Sequence, residues 1–335
     1  ESKWETNNTE SFTYHPNEIQ FAIATHFHTD HIGRFPYLMN EGFEGKIYTT
    51  VESKEMFPLI LNFSADVMLD NFTKKMSEWK EERSRRKRTI CNEKRTKSKF
   101  KGKNKKRFEF KSKDIYNDKP ELLFTKNDVR KLQQQVEGIE FETSFSPCEG
   151  IDVKFYKNGH VLGAAITVIT LKYKSEELNI LVTGDYADRN VVTQVESFVP
   201  ESVLNKINIV ISESTYGASA AVRNVENDYA LHLKLIEDTI KNGKKLVYIV
   251  NAVERPLVVL RELQYIMENE VIGKELQKYN IYFDSTSGIT AINAYNKILG
   301  DEVLNLPQNF KTITVEERDE VFNMLKSKQP TFLML

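Results

Sequence analysis

The stretch "ATHFHTDHIGR", Ala24 to Arg34, sets three histidines and an aspartate within the six residues His26 to His31. It follows directly on "IQFAI", Ile19 to Ile23, an apolar run of strand length. On an extended segment alternate side chains share a face, so His26 and His28 can turn toward one point. Asp30 and His31 come two and three residues later, where the chain turns into a helix, and can reach a second point beside the first. Imidazole and carboxylate without thiolate suit zinc. Two such ions about 3.5–4 Å apart could hold a bridging hydroxide and clamp a phosphoryl group. The plainer alternative is a histidine cluster on a solvated loop, and the buried strand that leads into the cluster argues against it.

Further ligand candidates lie downstream. His160 in "NGHVLGAA" and Asp185 in "LVTGDY" each sit at the edge of an apolar strand, next to a glycine that permits close backbone approach. Taken alone, either would read as structural. The remaining histidines do not join them. His15, in the polar "TYHP", is expected to be exposed, and His232, inside the helical "YALHLKL", is expected to be a surface or packing residue.

Around these residues the chain divides in two. "GKIYTT" (45–50) reads as a second strand. Apolar residues then recur at helical intervals at Met56, Leu59, Ile60, Phe63, Val67 and Met68. "FTKNDVRKLQQQV" is a helix capped by Asn127 or Thr125. "DVKFYKNG", "AAITVITLKY" and "LNILVTG" form a strand-rich block. Past Pro200 strands alternate with helices: "INIVISES", "VENDYALHLKLIEDTIKNG" stopped by Gly243, "KKLVYIV", "ERPLVVLRELQYIMENEV", "YNIYFDST", "SGITAINAYNKIL" and a final strand in "QPTFLML". That alternation means a parallel α/β unit.

Several function classes fall away on composition. The 335 residues are 40% hydrophobic and 28% charged, as in a soluble globular protein. No apolar run approaches the roughly 18 residues needed to cross a bilayer, so no membrane partner is expected. Two distant cysteines, Cys91 and Cys148, make no disulfide framework, which favours a reducing, cytoplasmic setting. The net charge of −1 hides an asymmetry: Lys74 to Lys113 holds 19 Lys or Arg against 5 Glu, a local balance of +14. Its second half reads as a surface loop or disordered insertion. Such a stretch can neutralise phosphates without regard to sequence. Arg86, Lys87, Arg88, Lys105, Lys106 and Arg107 are the candidate nucleic-acid contacts, and a solvated lysine-rich surface is the alternative.

The texts "THFHTDHIGRFPYLMNEGFEGKIYTT", "GHVLGAA", "VTGDY" and "ISESTYG" (211–217) together resemble the metallo-β-lactamase superfamily, and within it the β-CASP nucleases. The resemblance implies an αββα metallo-β-lactamase sandwich over residues 14–200, with 74–113 as a basic insertion, and an inserted parallel α/β β-CASP domain over 205–335. It implies a first zinc held by His26, His28 and His160, a second by Asp30 and His31, and Asp185 bridging the two. Glu213 would sit beside the metals and orient a ligand histidine. Asp30, Asp185 and Glu213 would thus be the catalytic carboxylates, and Arg255 would face substrate.

The family pattern also carries a strand ahead of the first motif and two histidines after the β-CASP insert. Neither falls within these residues, so a piece of a longer chain or a shortened relative is expected, with a weaker second zinc. "VNAVERP" stands where relatives tend to have a proline and a Gly-Arg pair, and Ala164 where serine is common. The function implied is a zinc-dependent nuclease that hydrolyses RNA phosphodiesters, with nucleic acid in the groove between the two domains. The alternatives are a DNA-processing β-CASP enzyme and a catalytically weak RNA-binding scaffold. The intact "HFHTDH", His160 and Asp185 speak against the scaffold.

Overall fold

The structure, a computed structural model, describes residues 11–99, 120–218, 225–250, 253–300, 307–313 and 317–335. A three-stranded parallel sheet comes first. β1 (Phe21–Ile23) leads through the histidine stretch into α1 (Thr29–Ile32) and α2 (Phe35–Asn40). β2 (Lys46–Thr50) runs straight into α3 (Val51–Lys99), and α4 (Lys126–Leu132) returns the chain to β3 (Val136–Ile139). β2 is central, with Ile47 opposite Ala22 on one side and Val136 on the other. Thr125 starts α4 with a reciprocal cap. Its hydroxyl accepts from the Asp128 N–H, and the Asp128 carboxylate accepts from the Thr125 N–H.

α3 buries one stripe, Met56, Phe57, Ile60, Leu61 and Ala65, against the back of this sheet. Val67, which the helical spacing counts with the apolar set, is 61% exposed because it turns off the buried stripe, which continues to Met68. Helix then replaces the loop expected in the second half of the basic stretch as far as Lys99. Lys, Arg and Glu are good helix formers, and Glu81 and Arg85 pair one turn apart at 3.7 Å. Arg88 is exposed on this helix. The Arg86 and Lys87 side chains, and all of Lys105, Lys106 and Arg107, lie outside what is described.

The second sheet is β4 (Ser144–Cys148), β5 (Ile151–Lys157), β6 (Ala165–Tyr173), β7 (Glu176–Val182) and, after α5 (Glu201–Leu204), β8 (Ile209–Ile211). The strands lie in sequence order, antiparallel except for β8, which runs parallel to β7. Strand alternation sends Val153, Phe155 and Ala165 toward Ile23, Tyr48 and Ile139 of the first sheet. Tyr156, Ile166, Val168 and Leu181 turn the other way, onto Val199, Val203 and Ile207. Helices, sheet, sheet and helix thus stack as the αββα sandwich.

The remainder is α/β: α6 (Val225–Asn242), β9 (Lys245–Tyr248), α7 (Arg255–Asn269), α8 (Gly273–Leu276), β10 (Ile281–Phe283), α9 (Thr286–Leu299), β11 (Phe310–Thr312), α10 (Arg318–Leu325) and β12 (Thr331–Met334). All four strands are parallel, in the order β11-β10-β12-β9. Gly243 ends α6 at φ +61°, where a side chain would be strained. β12 is central: Phe332 pairs with Ile281 on one side and Leu246 on the other. Phe332 and Met334 face one helix layer and Leu333 the other, so the strand reads as one apolar run. α9 lies along α3, and a single core cluster runs from Phe27 and Met56 through Leu257 and Tyr295 to Phe332.

Candidate metal centre

Beyond β1 the chain bends at Thr25 and His26 and is extended again at His28, the N-cap of α1 at φ −63°, ψ 148°. His26 is fully buried. Its Nδ1 lies 3.1 Å from the Thr25 hydroxyl, while its Nε2 is buried without a hydrogen-bond partner. An orphaned buried nitrogen costs about 1–3 kcal/mol, an arrangement that a bound cation would relieve. His28 Nδ1 lies 3.2 Å from His160 Nε2, and the His26, His28 and His160 rings meet edge to face at 4.7–4.9 Å between centroids.

Asp185 follows β7 and faces both sides of the cluster. Its Oδ2 is 3.5 Å from His160 Nε2 and 3.9 Å from His26 Nε2; its Oδ1 is 3.2 Å from His31 Nε2. His31 Nε2 is 3.6 Å from Asp30 Oδ2. Two groups result, His26–His28–His160–Asp185 and Asp30–His31–Asp185. Within each, the ligand atoms lie within 4.8 Å of one another. Both could hold a cation, and Asp185 belongs to both. The close approach needs glycine: Gly184 has φ +60°, and a Cβ there would meet Thr25 at 2.8 Å.

Asn158, 2% exposed at the end of β5, ties the ligand loops together. Its amide donates to the carbonyls of Thr183 (2.9 Å) and Asp185 (2.7 Å), and its Oδ1 accepts from the His160 N–H at 2.9 Å. From the other side the Thr50 and Ser53 hydroxyls both donate to the Gly163 carbonyl. These residues were not singled out from the sequence. The available signal was a buried-type asparagine beside the histidine in "NGH".

Burial above all keeps His26, His28 and His160 neutral. Burial, then the neighbouring His31, His28 and His160, pushes His26 down to about 2. Burial and His160 push His28 down to about 4. His160 is lowered by burial, with Asp185 opposing. At neutral pH each therefore has a lone pair free to bind a metal.

Glu213 lies outside both ligand groups. Its Oε1 accepts from the Tyr186 N–H at 2.8 Å and its Oε2 from the Thr215 N–H at 3.3 Å; the Thr215 side chain foremost, then these N–H groups, lower its pKa. It braces the residue after Asp185; among the described residues no hydrogen bond joins it to a histidine. Arg255 is exposed at the first position of α7. His15 is exposed, and His232 packs between Glu262 (2.9 Å) and Tyr248 (2.8 Å), away from the cluster.

A family model described as the metallo-beta-lactamase superfamily matches residues 7–91. Endoribonuclease ysh1 of Emericella nidulans is 25% identical over 294 residues, 88% of this chain and 27% of that protein. A ribonuclease of Thermus thermophilus is 22% identical over 300 residues, 89% of this chain and 54% of its own length. An RNase J-like protein of Methanocaldococcus jannaschii is 27% identical over 220 residues, 63% of this chain and 48% of its own. The chain thus spans 27% of the fungal relative's length and about half of the two prokaryotic ones. Fold, ligand pattern and relatives agree in likening the chain to the metallo-β-lactamase superfamily and, within it, to the β-CASP nucleases.

Proposed function

We infer that the protein is a zinc-dependent ribonuclease that hydrolyses the RNA backbone. The observation that carries this is the sharing of Asp185 between two ligand groups, each with imidazole and carboxylate donors. His26, His28, His160 and Asp185 would hold one zinc ion, and Asp30, His31 and Asp185 a second. Bound zinc supplies hydroxide near neutrality and neutralises charge that builds on a phosphodiester. The chain's own part is geometry. Asp185 turns one oxygen to each group, Asn158 fixes the loops that carry His160 and Asp185, and Glu213 holds the backbone at Tyr186. The names of the fungal and Thermus relatives, an endoribonuclease and a ribonuclease, support RNA as substrate. In this reading residues 14–200 form the metal-binding domain and 205–335 the β-CASP domain, with RNA between them. Arg255, the basic stretch of α3 and the basic residues that follow it contact phosphates. The enzyme works in the cytoplasm.

The test measures zinc content and cleavage of labelled RNA and DNA by the wild type and by Asp30→Ala. Loss of RNA cleavage and of part of the zinc in the variant is expected. Unchanged cleavage would remove the proposed chemistry, and cleavage of DNA alone would replace the substrate.

A further inference from the structure

A hydrogen-bonded link behind His160 joins the metal centre to the α/β part of the chain. Asn190, 4% exposed, donates one amide hydrogen to the His160 carbonyl at 3.1 Å and the other to Glu254 Oε1 at 2.9 Å. Its Oδ1 accepts from the Val192 and Thr193 N–H groups at 2.9 and 2.7 Å. The orientation of the amide is thereby determined, since a flip would set NH2 against two donors and oxygen against two acceptors. Glu254 lies 64 residues further along, at the N-cap of α7. A capping side chain at that position turns onto its own helix. This one makes no side-chain cap bond and reaches across to Asn190. Arg255 beside it and the buried Tyr295 from α9 are its other polar neighbours. Burial pushes its carboxyl up to about 7, so an uncharged acceptor serves the same bond.

We propose that Glu254 is a positioning residue for the metal centre: through Asn190 it holds the His160 loop in register with His26, His28 and Asp185. This rests on the metal-binding role argued above. The link reaches the His160 backbone carbonyl, whereas Asn158 secures the His160 N–H, so the ligand is gripped on both of its backbone polar groups.

The test compares Glu254→Ala, Asn190→Ala, the double variant and Glu254→Gln. Zinc affinity is read by competition with a chromophoric chelator, and amide exchange at residues 158–164 is read in the metal-free protein. Groups behind a metal ligand typically contribute 10–100-fold to affinity; the backbone route sets about tenfold here for each alanine variant. The double variant should be no weaker than Asn190→Ala, and Glu254→Gln should stay within about twofold of wild type. Exchange at 158–164 should quicken in the alanine variants and not in Glu254→Gln. Val321→Ala, in the small cluster under α10, provides a destabilised control whose zinc affinity should not change. Unchanged affinity in both alanine variants, an equal loss in Glu254→Gln, or an equal loss in the control overturns the proposal. If the wild type takes up no zinc, the metal-binding role fails on its own. Exchange at 158–164 then decides the link, and unchanged rates in the alanine variants overturn it.

Discussion

Acidifying the metal-stripped protein from pH 7.5 to 5.5 should weaken it through its buried imidazoles, with Glu254 masking much of the loss. His26 and His28 move from 6.5 in the unfolded chain to about 2 and about 4 in the folded one. Across this interval the unfolded chain takes up protons that the folded chain refuses, so stability falls with pH. Each histidine then costs about 1.4 kcal/mol at pH 5.5, or about 3 kcal/mol for the pair. His160, also lowered, adds in the same direction. Glu254 has the opposite sign. Its carboxyl rises from 4.5 to about 7, so its contribution is complete below 4.5 and is lost as pH climbs through 7. Between pH 7.5 and 5.5 it returns about 2 kcal/mol, which leaves the wild type a net loss of about 1 kcal/mol from these three groups. Glu254→Gln does not titrate and should expose the full loss of about 3 kcal/mol; adding His26→Asn should remove about half of it. The assay is urea unfolding with a chelator present, followed by far-ultraviolet circular dichroism at both pH values. Equal pH dependence in the wild type and Glu254→Gln would refute the reasoning, as would a gain in stability for Glu254→Gln on acidification.

Two other substitutions probe the loops and the basic helix. Asn158→Ala leaves the Thr183 and Asp185 carbonyls and the His160 N–H without their partner. It should cost about 2–4 kcal/mol in denaturant unfolding and weaken zinc binding, and a variant as stable as wild type would contradict the role given to Asn158. Neutralising the exposed Lys74, Lys80 and Arg88 of α3 to Gln should flatten the salt dependence of RNA binding. Each phosphate that these side chains cease to neutralise lowers the log–log slope by about 0.7, and an unchanged slope would show that these residues meet no RNA.

Much of the candidate metal centre was legible in the chain because its first motif is local. His26, His28, Asp30 and His31 lie on one strand-to-helix turn, and period-two alternation followed by a turn already brings them side by side. His160 and Asp185 were legible as strand-end residues next to glycine. The α/β half was legible as well, because helices such as α6, α7 and α9 carry clear apolar periods and buried parallel strands such as β12 read as apolar runs. Other elements left fainter marks. β3 and β4, "VEGI" and "SFSPC", have neither strict alternation nor a continuous apolar run, and they become strands only against β2 and β5. Val67 was counted with the apolar set but faces solvent while its neighbour Met68 packs on the core, so which edge of the stripe is buried was settled by packing.

The chain by itself determined which residue types could bind a metal and that those near its start share a face, because backbone periodicity acts over a few residues. Only the tertiary structure decided that Asp185 meets both ligand groups, that Glu213 braces Tyr186 and not a histidine, and that Glu254 reaches the His160 loop through Asn190. The Glu213, Asn190 and Glu254 contacts join residues 27 to 64 apart, and Asp185 meets His26 and His31 across a far longer stretch of chain. Their distances are set by how two sheets and a helix pack, and burial created by that packing is what keeps the imidazoles neutral.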